Sequence, residues 1–196
     1  ALNRATGEVL WQRRRAQPKD FSLNGEARPI VSQGKVIMGF SDGVLASYDE
    51  QTGAPVWERD LAPQSAQFED VDADPVVIGD TLYAASSASG LYALSPMSGE
   101  VRWFLPLKGV VRLSAFEGEL IVGFQHGEVA RFSPQDRRFV WRARFGTPGA
   151  PSRVQPLPQG LAVTLSRGAL YVLNASTGAV RDQLNAGSPL LAPVTL

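Results

Sequence analysis

Cysteine is absent from these 196 residues, which excludes disulfide staples, thiolate metal sites and cysteine nucleophiles. No run of 18 apolar residues occurs, so no hydrophobic helix of this chain crosses a bilayer. Neither sign of charge is in excess, with 19 Lys and Arg against 19 Asp and Glu. The chain as a whole is therefore not drawn toward nucleic acid. His126 is the only histidine, and Gln125-His126-Gly127 reads as a hairpin turn. With no second histidine or cysteine beside it, His126 is expected to be an exposed turn residue, not a ligand. Glycine-rich phosphate loops, nucleophile elbows and paired catalytic carboxylates are missing as well. No enzyme motif remains.

What the chain does contain is one phrase, repeated. Ala1-Leu2-Asn3-Arg4-Ala5-Thr6-Gly7-Glu8-Val9-Leu10-Trp11 returns as Ser47 to Trp57, with Asp49, Thr52 and Gly53 in the same places. It returns again as Ala93 to Trp103, with Ser98-Gly99. A decayed copy from Arg131 to Trp141 has Asp136-Arg137 in place of Thr-Gly, and a fifth, Val172 to Asp182, keeps the turn but ends in Asp. The steps between Trp11, Trp57, Trp103, Trp141 and Asp182 are 46, 46, 38 and 41 residues. A period near forty with strand-like content is the mark of a propeller blade.

Residues 74–104 show how one repeat becomes a blade. The apolar run 75–78 predicts a first strand, Gly79-Asp80 a hairpin turn, and 81–85 a second strand. A turn at 86–90, a third strand at 91–94, the Pro96-Met97-Ser98-Gly99 turn and an outer strand at 100–104 complete it. The same reading gives blades at 27–60, 74–105, 110–143 and 153–183, with the end of a blade at 1–15 and the start of another at 189–196. The two part-blades could complete each other and close a five-bladed ring, but the ends supply about three strands and a blade needs four, so 1–196 is expected to be one partial β-propeller. The tryptophans are expected to fill the gap between successive blades, each with its N–H on a carbonyl. Arg13-Arg14-Arg15 reads as a solvated blade edge, where charge discourages strand pairing.

Loops carry the differences between blades. The connections from outer strand to next inner strand are short after Trp103 and moderate after Trp141, but long at about 12–28 and 61–74. Those two occupy the same place in successive repeats, so they must lie side by side on one face. The first offers Phe21, Leu23 and Asn24; the second offers Phe68 and Glu69-Asp70-Val71-Asp72-Ala73-Asp74. Apolar anchors flanked by carboxylates suit a protein partner. The other reading open from composition is that Phe21 and Leu23 tuck beneath their loop while the acids are solvated. Asp70-x-Asp72-x-Asp74 imitates half a calcium loop, but Pro75 and Thr81 stand where Gly and Glu are needed. No metal is expected there.

The Asn/Asp-x-x-Thr-Gly-x-x-x-Trp phrase resembles the repeat of the PQQ-type propellers. Three further stretches, Phe21-Ser22-Leu23-Asn24-Gly25-Glu26-Ala27-Arg28-Pro29, Gly39-Phe40-Ser41-Asp42-Gly43 and Asp70-Val71-Asp72-Ala73-Asp74-Pro75-Val76-Val77, resemble the BamB family within that superfamily. The resemblance covers essentially the whole chain. It implies an all-β fold of four-stranded antiparallel blades belonging to an eight-bladed ring, with no quinone or other cofactor and no catalysis. It further implies an adaptor of the outer-membrane β-barrel assembly complex, docked on a POTRA domain of BamA and serving unfolded outer-membrane proteins. By matching position the contact residues would be Phe21, Leu23, Asn24, Asp70 and Asp72. The family has Arg where this chain has Asn24, a lost charge that Arg28 is near enough to replace. The implied location is the periplasmic face of the outer membrane in a Gram-negative bacterium, held by an N-terminal lipid anchor outside this chain, with no nucleic-acid partner. A PQQ-dependent dehydrogenase and a generic propeller scaffold are the competing expectations.

Overall fold

The structure is a computed structural model and describes residues 1–13, 27–61, 71, 73–158 and 160–187. It divides into two compact units, Ala1–Lys108 and Gly109–Leu196. The first unit holds a sheet of β1 (Ile30–Ser32), β2 (Lys35–Gly39), β3 (Val44–Asp49) and β4 (Pro55–Asp60). Its second sheet has β5 (Val76–Ile78), β6 (Thr81–Ser86), β7 (Gly90–Leu94) and β8 (Val101–Leu105). The second unit contains β9 (Val110–Phe116), β10 (Glu119–Phe124), β11 (Glu128–Ser133) and β12 (Arg138–Arg144). Its other sheet is β13 (Pro151–Leu157), β14 (Gly160–Leu165), β15 (Ala169–Leu173) and β16 (Val180–Asn185). Every sheet is a four-stranded antiparallel meander in chain order, and the described residues include no helix. This is the β-propeller architecture that the repeat predicts, one blade to a sheet.

Burial follows the strand's place in the blade. The second and third strands are buried along nearly their whole length, as in β6 and β11, because they pack on both faces. Innermost β1 and β5 are less covered, with Val31 exposed and all of β5 half-buried. On outer β4 only Trp57 is buried. One core cluster joins Ile37, Leu45 and Trp57 to Leu82, Ala84 and Leu94 within the first unit. In the second, Ile121, Val129 and Trp141 meet Leu161, Val163 and Tyr171.

The repeated phrase is a turn with its bonds built in. Asn3, Asp49 and Asn174 each accept two backbone N–H groups through Oδ1, from Ala5 and Thr6, Gln51 and Thr52, and Ser176 and Thr177. The glycine N–H then returns to the carbonyl of that first residue, at 2.8 Å in Gly7, 2.9 Å in Gly53 and 2.8 Å in Gly178. Short polar side chains that bond their own backbone are what such turns select. In the decayed copy Ser133 Oγ accepts from the Asp136 N–H, and Arg137 takes the left-handed φ of 53° that glycine takes elsewhere.

A bulge comes after the turn in every blade. Ser47 faces Trp57 but Tyr48 faces Pro55, leaving Val56 as the extra residue. The same shift sets off Arg102, Val140 and Arg181. The extra residue re-aims the strand beyond it, and the tryptophan thereby turns toward the next copy of the phrase. Trp11 Nε1 donates to Glu50 O at 2.9 Å, Trp57 to Pro96 O at 3.1 Å, and Trp141 to Ala175 O at 2.8 Å. Each acceptor follows the turn's first residue by one. The expected pairing of tryptophan with carbonyl is therefore found at these three, together with one that residue types did not suggest. Arg13 Nε donates to Gly53 O at 2.6 Å, and Arg59 Nε to Gly99 O at 2.8 Å. Arg13 is exposed, as an edge charge is expected to be, and also latches the neighbouring turn; Arg14 and Arg15 lie outside the described residues.

Asp49 also accepts the Thr52 hydroxyl at 2.7 Å, and this bond is the main reason its carboxyl titrates below 3.8, the ordinary aspartate value. A carboxyl depressed in the folded state contributes stability above its unfolded value and loses it as pH falls through the folded one. Asn3 and Asn174 accept the same backbone bonds without titrating. In Asp49→Asn, denaturation midpoints should therefore fall less steeply than wild type below pH 4, with little change at pH 7. An unchanged acid slope would contradict the assignment.

Candidate docking face

In a blade, the turn between the second and third strands and the exit from the fourth share one rim. In the first blade the turn is Phe40–Gly43, closed by Phe40 N to Val44 O at 2.9 Å and Gly43 N to Phe40 O at 3.2 Å. Asp42 Oδ1 accepts the Val44 N–H at 3.3 Å. The chain leaving β4 bonds this turn at once, through Leu61 N to Gly43 O at 2.9 Å. Leu61 is buried, and its carbonyl accepts Ser89 Oγ at 2.6 Å and Tyr92 Oη at 3.0 Å from the second blade. The start of the 61–74 loop is thus clamped on both sides.

Its end returns to the same place. Val71 N donates to Phe40 O at 3.2 Å, and Val71 and Ala73 are buried. A Cβ on Gly39 would stand 2.4 Å from Val71 O, so only glycine at the end of β2 lets the chain lie this close. Asp74 Oδ1 then accepts the Arg28 N–H at 2.7 Å, across 46 residues of sequence. Arg28 closes the first long loop and Asp74 closes the second, so their roots are joined by one hydrogen bond. The repeat predicted that the loops lie side by side, but neither this bond nor the Gly39 approach. The glycine closing the apolar run Val36-Ile37-Met38 was the available signal. Phe21, Leu23, Asn24, Asp70 and Asp72, with Phe68, lie outside the described residues. Arg28, suggested as a substitute for the family arginine, is exposed, and its backbone N–H is committed to Asp74.

Elsewhere, His126 is an exposed turn residue as expected. Among the described residues no group of three or more His, Cys, Asp or Glu could hold a metal, and no helix is long and apolar enough to cross a membrane. A cleft of about 170 Å³ in the second unit is lined by Thr147, Ala169, Tyr171, Gln183, Leu184 and Asn185. Thr147 Oγ1 and Tyr171 Oη share a 2.6 Å hydrogen bond there, and Tyr171 stacks on Phe145 at 4.3 Å. Its lining carries no carboxylate, histidine or lysine to move a proton near neutral pH.

Comparison with known proteins gives a consistent result. The profile of the family described as outer membrane protein assembly factor BamB matches residues 1–143 and 75–193. A BamB of Legionella pneumophila (strain Paris) is 24% identical over 172 residues, covering 84% of this chain and 45% of the relative. A BamB of Yersinia pestis is 30% identical over 108 residues, covering 53% of this chain and 27% of the relative. The crystal structure of BamB from Moraxella catarrhalis superimposes with a TM-score of 0.75 at 26% identity, over 96% of this chain and 58% of that one. A computationally designed protein, Ika8, shares the fold at 13% identity and a TM-score of 0.68, over 94% of this chain and 55% of its own. This chain spans about half the length of the first of those curated relatives, or less. Phrase, blades and profile agree: the chain belongs to the BamB family of outer membrane protein assembly factors.

Proposed function

We propose that this chain is the partner-docking part of a non-enzymatic assembly factor, engaging a POTRA domain of BamA through the 12–28 and 61–74 loops. The observation that carries the reading is the Arg28–Asp74 hydrogen bond, which joins the roots of both loops on one rim. Loops anchored together offer a partner one composite surface, and less ordering entropy is lost on docking. On that surface Phe21 and Leu23 supply an apolar centre, while Asp70 and Asp72 meet basic groups of the partner and fix its orientation. A factor that serves outer-membrane proteins acts at the periplasmic face of the outer membrane, where a lipid anchor would hold it.

Titration calorimetry of the full-length protein with the cognate BamA POTRA domains tests this reading. Asp70→Arg with Asp72→Arg should weaken binding at least about ten-fold, because two attractive contacts become repulsive, while the thermal midpoint stays put. Wild-type affinity in the double variant would remove those acids from the interface.

A further inference from the structure

Charge balance over the whole chain conceals a segregation. Residues 1–108 carry ten basic and fourteen acidic side chains, whereas residues 109–196 carry nine and five. All nine basic residues of the second stretch are arginines, and four of them, Arg137, Arg138, Arg142 and Arg144, fall within eight positions on or beside β12.

Two of the four are held in place from below. Glu128 opens β11 directly opposite Arg144 on β12, and Arg142 lies two residues before Arg144, on the same face. The Glu128 side chain is only 10% exposed, yet Arg142 and Arg144 above it are 51% and 73% exposed. Arg142 Nε donates to Glu128 Oε1, and Arg144 Nη2 lies 3.5 Å from Glu128 Oε2. The Arg142 guanidinium also rests over two rings, 4.7 Å from the Phe139 centroid and 5.5 Å from that of Phe124. One nearly buried carboxylate therefore fixes two guanidiniums. More than half of each arginine side chain stays open to solvent.

We propose that Arg142 and Arg144, oriented by Glu128, form a phosphate-binding site on the outer strand of the third blade. Charge that merely discourages strand pairing needs no buried carboxylate and no aromatic bed beneath it. Phosphate fits better than a second carboxylate for a geometric reason. A carboxylate matches one guanidinium fork, whereas the oxygens of a phosphate group can accept from two forks at once. Two arginines against one glutamate leave a net positive charge at the site. A free phosphate and the phosphodiester of an anionic lipid both offer non-bridging phosphate oxygens to such forks, the diester two of them. This site is independent of the two long loops, so its failure would leave the docking proposal standing.

The test monitors the arginine Nε–Hε resonances of the full chain while inorganic phosphate is titrated. In parallel, vesicles of phosphatidylglycerol or of phosphatidylcholine are used to sediment the protein. Saturable shifts confined to Arg142 and Arg144 are expected. Arg142→Lys with Arg144→Lys should weaken binding about ten-fold or more while conserving every charge, because lysine lacks the fork. Both positions are exposed, so this variant should fold. Capture by phosphatidylglycerol vesicles alone, reversed by phosphate, would identify a lipid headgroup as the source. A phosphate response without vesicle capture would identify a free phosphate group, and either result supports the site. Unperturbed Arg142 and Arg144 resonances with both probes, or undiminished binding by the lysine variant, would overturn it.

Discussion

Replacing Trp57 with alanine should lower the free energy of unfolding by about 3–5 kcal/mol, among the larger losses expected of a single truncation. The residue is 9% exposed and belongs to the cluster with Ile37, Leu45, Leu82 and Leu94. Two losses combine. The cavity would open between two blades that relax poorly around it, and the Pro96 carbonyl would lose its 3.1 Å donor. Trp57→Phe separates them, since the ring stays apolar while the N–H goes. It should cost about 1–3 kcal/mol. Urea midpoints of the three proteins decide the matter, and a Trp57→Ala loss near zero would show that the tryptophan does not hold the blades together.

The second large effect belongs to the opposite half of the same contact. Gly99 has φ +67°, and a Cβ added there would stand 2.6 Å from Cε3 of the Trp57 ring. Alanine at 99 would therefore suffer twice. A left-handed backbone costs an L residue about 1–2 kcal/mol, and the ring must retreat from its carbonyl, adding about 1–3 kcal/mol of overpacking. Gly79 isolates the first cost: its φ is +60° and no atom lies within 4 Å of the added Cβ. Gly99→Ala should accordingly be the more damaging by at least about 1 kcal/mol. Equal losses in the two variants would mean that the ring yields freely.

Periodicity explains what could be read in advance. In 74–104 the expected strands at 75–78, 81–85, 91–94 and 100–104 appear as β5 to β8, each within a residue or two of its expected bounds. Ser86 and Gly90 differ, since they pair across the hairpin and do not lie wholly in the turn. Apolar runs and turn residues are local signals, and five copies repeat them. The tryptophan N–H was legible too, because a buried indole must donate. Arg13 was not, because its Gly53 acceptor lies forty residues away in a copy of the phrase whose carbonyl direction no sequence displays. The same holds for Glu128 under Arg142 and Arg144, whose meeting depends on the register of β11 against β12. For the candidate docking face, the expectation that the two loop roots meet came from the repeat. Arg28 and Asp74 did not, because a bond from a backbone N–H to a side chain leaves no pattern in residue types.

The direction of the latch has a consequence for synthesis. Trp11, Trp57 and Trp141 each reach forward in the chain, to Glu50, Pro96 and Ala175, and never back. A ribosome adding about 5–20 residues per second makes the thirty to forty residues that separate donor from acceptor in roughly 2–8 seconds. Through that interval the newest blade has all four strands, yet its indole has nothing to close upon. While each of these three acceptors is awaited, the nascent chain carries an unfinished tryptophan near its growing end, and that packing is completed only when the next turn emerges.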